Sequence, residues 1–75
     1  MEIKTFIEHF ASQFEETPIE EFEATTRFRE LEEWDSMIAL SIMAMIDENY
    51  QVKLSPIEMK QANTIHELFD LVKAK

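Results

Sequence analysis

The chain has no glycine and no cysteine, and only two prolines in 75 residues. Without glycine there is no glycine-rich phosphate loop, no dinucleotide fingerprint and no tight nucleophile elbow. Helix ends that need a left-handed residue must use another side chain, and asparagine is the expected substitute. Without cysteine there is no disulfide and no thiolate metal centre, which fits a reducing compartment. Any thiol chemistry would have to arrive with an added cofactor. No apolar run is long enough to span a bilayer. The opening Met-Glu-Ile-Lys-Thr-Phe-Ile-Glu lacks the basic lead and apolar stretch of a signal peptide. The expectation is a soluble, cytoplasmic, monomeric chain of one domain, with a core too small to supply more than about 3–5 kcal/mol.

Basic residues are also scarce. Seven Lys and Arg face sixteen Asp and Glu, a net charge of −9. Phosphate contacts need cations, so nucleic acid is excluded as a partner and basic proteins are favoured. The imbalance is local. Residues 1–35 carry eleven acidic and three basic side chains, whereas residues 36–75 carry five and four. Calcium loops need alternating oxygen ligands and a glycine at the sharp turn, and neither is present. No metal site is expected.

Periodicity predicts an all-α protein, a small irregular four-helix bundle with three longer helices, one short one and a long loop between the first two. Ile3, Phe6, Ile7, Phe10 and Phe14 form one stripe of a first helix over 2–16, which Thr17-Pro18 would end. Residues 17–35 form the long connection, pinned by Ile19, Phe22, Phe28, Leu31 and Trp34, with room for a helical turn near 19–23 or 28–32. A second helix covers 36–50, with Ala39, Ile42, Met43, Ile46 and Tyr50 toward the core, flanked by Ile38 and Met45. Ser55-Pro56-Ile57-Glu58 opens a short helix over 56–61 with a capping box. Thr64-Ile65-His66-Glu67 opens a last helix over 65–73, with Ile65, Leu68, Phe69 and Val72 inward. Met43, Met45 and Met59 read as flexible core filler.

The candidate site is Glu33-Trp34-Asp35-Ser36-Met37, where the acidic lead-in meets the second helix. Asp35 is a good N-cap facing the positive helix end. Ser36 then starts a helix whose N–H groups and dipole favour a phosphate on its oxygen. The arc opposite the core carries Ser36, Met37, Leu40, Ser41, Ala44, Asp47 and Glu48. Its apolar members Met37, Leu40 and Ala44 suggest a docking surface. By composition alone an ordinary capping serine is the simpler account of Ser36. A serine hydrolase would need a base and an oxyanion hole. His9 lies off the first helix's stripe and is expected in solvent, and His66 is expected exposed in the first turn of the last helix.

Asp35-Ser36-Met37 resembles the Asp-Ser-Leu signature of acyl carrier proteins and related phosphopantetheine-binding carrier domains. The passage Thr26-Arg27-Phe28-Arg29-Glu30-Leu31-Glu32-Glu33-Trp34 before it is similar to their loop-to-helix junction. The ending Ile46-Asp47-Glu48-Asn49-Tyr50 and the opening Thr64-Ile65-His66-Glu67-Leu68 are similar as well. The resemblance covers essentially the whole chain and implies a non-enzymatic carrier. It implies that a phosphopantetheinyl transferase moves 4′-phosphopantetheine from coenzyme A to Ser36. The arm's thiol would then bear acyl or aminoacyl thioesters for acyl-loading and acyl-processing enzymes, and would supply the thiol that the chain lacks. Asp35 matches the acidic residue beside the attachment serine, Met37 the apolar docking residue, and Leu40, Ser41, Ala44, Asp47 and Glu48 the partner-facing side. Glu33 and Trp34 stand where fatty-acid carriers usually have a glycine, and Ile38 and Ser41 where their helix is acidic. These departures imply more apolar partner contacts and a dedicated pathway. Small Ala39 beside flexible Met43 marks where a carried chain would enter the bundle, if a cavity forms there. The alternative on the same residues is an acidic interaction module of the same fold that is never modified.

Overall fold

The computed structural model describes residues 2–75. Four α-helices carry the fold: α1 (Ile3–Ala11), α2 (Ser36–Tyr50), α3 (Pro56–Gln61) and α4 (Ile65–Lys73). Among the described residues there is no strand, only an isolated antiparallel bridge between Arg27 and Thr64. The long connection holds two single 3₁₀ turns, Ile19–Glu21 and Phe28–Glu30, where helical turns were expected. Among the described residues no helix is long and apolar enough to cross a membrane.

The core is built around phenylalanine. All six Phe are buried, and Phe6, Phe10 and Phe28 are fully so. Phe10 packs on Phe28 and Phe14 on Phe22, with ring centroids 5.4 and 4.9 Å apart. Those pairs pin the connection onto α1 and the turn that follows it. At the other end of α1, Phe6 meets Phe69 of α4 at 5.4 Å. Such pairs add about 0.5–1.5 kcal/mol beyond area burial. The stripe of α4 is as expected, with Ile65, Leu68, Phe69 and Val72 all buried.

Three expectations need correction. The first helix ends at Ala11, not at residue 16. The Ser12 hydroxyl donates back to the His9 carbonyl at 2.7 Å, and Gln13 and Phe14 close tight turns onto Phe10 and Ala11. Serine offers the backbone such an alternative to helix, and the turn still delivers Phe14 to the core. Ile19 does not pin the connection; it is 55% exposed. The third correction concerns α2. Its most buried positions are Ile42, Met45 and Ile46, whereas Ala39, Met43 and Tyr50 are only half-buried. The inward face is rotated toward Met45, which leaves Ala39 and Met43 at its edge.

The missing glycine is felt at one place. Gln51 ends α2 in the left-handed region, φ 54°, its N–H donating to the Asp47 carbonyl. Glutamine, not asparagine, takes that role. The opening of α4 is satisfied by the connection: Ile65 N–H donates to Thr26 O and His66 N–H to Ala24 O. These are helix N–H groups that have no partner inside the helix.

Candidate functional site

The residues before α2 are fixed from two sides. The Trp34 indole packs on Phe28 at 4.9 Å and on Phe14 at 6.4 Å. The Glu33 carboxylate accepts four hydrogen bonds, from the N–H groups of Glu15, Glu16 and Thr17 and from the Thr17 hydroxyl. Partial burial works to raise the Glu33 pKa, but these four bonds outweigh it and hold the carboxyl below its usual range. The pair in the place of the usual glycine is therefore structural: Glu33 clamps the end of α1's loop, and Trp34 anchors to the aromatic core.

Asp35 leaves this anchor in an extended conformation and caps α2, its Oδ1 accepting from the Ile38 N–H at 2.8 Å. Ser36 is thus the first helical residue and not the cap. Its side chain is exposed at the positive end of a fifteen-residue helix. The simpler account, in which Ser36 is there to cap, does not hold, because Asp35 already does that work.

The expected outer face of α2 is outward. Met37 is 71% and Leu40 59% exposed, and Ala44 and Glu48 are exposed with them. Ser41 and Asp47 are half-buried, and Asp47 lies 3.8 Å from the Lys53 ammonium. Ile38, expected to flank the core face, packs against the core, although it stands where related carriers have an exposed acidic position. Ile57 of α3, which the sequence did not single out, is 71% exposed.

Between α2 and α3 lies a groove of about 340 Å³. Ala39, Leu40 and Met43 of α2 form one wall, Pro56 and Met59 of α3 the other, and Trp34 and Ser36 also line it. Arg29 and Lys60 complete it. A second, acidic concavity lies along the connection, lined by Glu16, Glu21, Glu30, Glu32 and Glu33. Among the described residues no group of three or more His, Asp or Glu converges as metal ligands.

A family model described as "Phosphopantetheine attachment site" matches residues 4–72. The chain belongs to this phosphopantetheine-binding family. No curated protein and no solved structure matches it. The family is defined by covalently attached 4′-phosphopantetheine, and its members are carriers that catalyse nothing themselves.

The histidines of the carrier serve elsewhere. His9 is not in solvent as expected; it is half-buried, with Nδ1 3.0 Å from the Tyr50 hydroxyl and the two rings 5.8 Å apart. Burial raises the Tyr50 pKa. His66 is exposed and lies 3.1 Å from Asp70. Sequence reasoning missed three neighbours of the site: the Glu33 clamp, Arg29, and the α3 wall. Periodicity reports which face of one helix is apolar; it carries no signal for a loop side chain that bonds a segment thirty residues away. The one usable hint was Trp34 itself, a large apolar residue immediately before an N-cap.

Proposed function

We propose that Ser36 is the residue that takes the phosphopantetheine arm, and that the carrier presents acyl thioesters to partner enzymes. The observation that carries this reading is the position of Ser36. It is exposed, relieved of capping by Asp35, and among the residues that line an apolar groove. The residues present fit the group. The free N–H groups and the dipole at the start of α2 favour a phosphodiester on the Ser36 oxygen. No large side chain need move to expose that oxygen. When bound, the arm supplies the thiol on which the carried group is held as a thioester.

The chain's own residues then have separable tasks. Trp34 and Glu33 hold the junction still. Asp35 caps the helix and keeps a carboxylate beside Ser36, where a transferase's cation can meet it. Met37, Leu40 and Ala44 offer an apolar docking stripe, with Ser41, Asp47 and Glu48 around it. The groove is lined by hydrocarbon and thioether, which favours an acyl over an aminoacyl group, since a buried ammonium there would lack a partner. Its setting is proposed as the cytoplasm, as a monomer. Incubation with coenzyme A and a broad-specificity phosphopantetheinyl transferase, read by intact mass, tests the reading. If Ser36 is never loaded, the unmodified interaction module takes its place.

A further inference from the structure

The two walls of the groove beside Ser36 are not equally secure. α2 runs fifteen residues, whereas α3 has six. A helix that short does not persist by its own hydrogen bonds, so its place depends on its anchors. Met59 and Ala62 reach the core, and the Ser55–Glu58 capping box holds its start. Its end is held by a residue of the long connection. The Arg29 guanidinium donates to the Met59 carbonyl at 3.0 Å, to the Lys60 carbonyl at 3.3 Å and to the Asn63 side-chain oxygen at 2.6 Å. These carbonyls belong to the last turn of α3, where they lack helical partners and carry the negative end of the dipole. Arg29 also lines the groove, its stem against apolar surface. Its guanidinium stands 5.3 Å from the centre of the Phe28 ring. One side chain therefore joins the connection to the α3 wall of the same groove.

We propose that Arg29 is a positioning residue that latches α3 in place and thereby sets the longest acyl chain the groove accepts. The inference rests on the reading that Ser36 bears the arm. With the latch in place, the space between the two walls measures about 340 Å³. A longer chain enters only by pushing α3 outward and breaking charge-assisted hydrogen bonds, which are stronger than neutral ones. The latch converts an apolar slot, which would otherwise accept any chain that fits by deformation, into one with a length limit.

The test uses the full chain loaded at Ser36 with saturated acyl groups from butanoyl to tetradecanoyl, each confirmed by intact mass. Two readouts follow entry of the chain: the rate of thioester cleavage by hydroxylamine, and the emission of Trp34, the only tryptophan. In the wild type, each methylene that enters slows cleavage by up to about fourfold, equivalent to ~0.8 kcal/mol per buried CH₂, until a plateau. In Arg29→Met, which keeps an apolar stem, protection and the Trp34 shift continue past that plateau. Asn63→Ala removes the shortest latch bond from the far side and moves the plateau the same way by less. It also keeps the proposal testable should Arg29→Met fail to fold. Arg29→Lys falls between the two. An unmoved plateau in a folded Arg29→Met or Asn63→Ala protein, or no protection for any chain, overturns the latch while leaving Ser36 as the carrier residue. Absence of loading, visible by mass before any cleavage is measured, overturns both.

Discussion

Glu33 and Thr17 meet twice: the Glu33 carboxylate accepts the Thr17 backbone N–H at 2.9 Å and its hydroxyl at 2.8 Å. The same carboxylate takes the N–H groups of Glu15 and Glu16. Three consecutive residues that have left the helix thus find partners for four donors on a single side chain beside Trp34. Glu33→Ala orphans those donors. It should lower the melting temperature by several degrees, and far more than Glu32→Ala, whose side chain is exposed. Equal effects of the two substitutions in thermal melts would show that the clamp is not what orders the junction.

The same bond pattern sets a pH dependence. The carboxyls of Glu33, Glu58 and Glu67 are all held below their usual range: Glu33 by the clamp, which outweighs its partial burial; Glu58 first by Lys75 and then by the Ser55 N–H; Glu67 first by the Asn63 and Thr64 N–H groups. A carboxyl whose folded pKa lies below its unfolded one contributes stability above the unfolded value, about 4.3 for Glu. That contribution is lost as pH falls through the folded value. Urea midpoints should be flat near neutrality and fall below about pH 4.5. The Glu33→Gln variant should show a shallower acid fall. An identical acid limb in wild type and variant would contradict the assignment.

Gln51 holds a left-handed conformation that costs a non-glycine residue about 1–2 kcal/mol. Part of the gain from relieving it is offset by glycine's greater unfolded entropy. Gln51→Gly should therefore stabilise the fold by about 0.5–1 kcal/mol, seen as a higher urea midpoint at unchanged slope. A loss of stability would mean that the bond from the Gln51 amide to the Glu48 carbonyl matters more than the backbone strain.

Much of this architecture is legible in the chain. The starts of α2, α3 and α4 carry Asp35, Ser55 and Thr64, and each caps as its residue type dictates. Phe6 and Phe10 of α1 and the whole α4 stripe are buried as their spacing requires, whereas Ala39, Met43 and Tyr50 of α2 are only half-buried. What was not legible depends on contacts remote in sequence. The early end of α1 follows from Ser12 bonding back locally and from Glu33 taking the amides of residues 15–17. The half-burial of His9 follows from Tyr50, which lies on a different helix. Asp35 as the cap and Ser36 as the first helical residue were legible together, and the Asp35 Oδ1 bond to the Ile38 N–H bears that out. The groove wall at Pro56 and Met59 had no signature, because it exists only where α2 and α3 face each other.

Charge is the next lever. The connection carries most of the excess acid, and among the described residues the lysine–carboxylate ion pairs lie elsewhere, at Asp47–Lys53 and Glu58–Lys75. Exposed like charges repel and are screened by salt within about 10 Å at 0.1 M. Moderate salt or magnesium should raise the melting temperature. A melting point unmoved by either would mean that these carboxylates do not oppose folding.

The outer face of α2 makes a distinct prediction for partners. Met37 and Leu40 are the most exposed large apolar residues of that helix, and charge is confined to its far end at Asp47 and Glu48. Met37→Ala and Leu40→Ala should each weaken transferase binding by roughly tenfold, equivalent to about 1.4 kcal/mol. The affinity should fall little with salt. Binding that is steeply salt-dependent and indifferent to both substitutions would contradict an apolar docking stripe.

Loading at Ser36 is the most direct test of the central claim. The purified chain is incubated with coenzyme A and a broad-specificity transferase beside a competent control carrier, and the product is weighed intact and then mapped by peptide. The account predicts a gain of one phosphopantetheine on the peptide containing Asp35-Ser36-Met37, abolished in Ser36→Ala and retained in Ser41→Ala. No gain while the control is loaded, or a gain that survives Ser36→Ala, would contradict it.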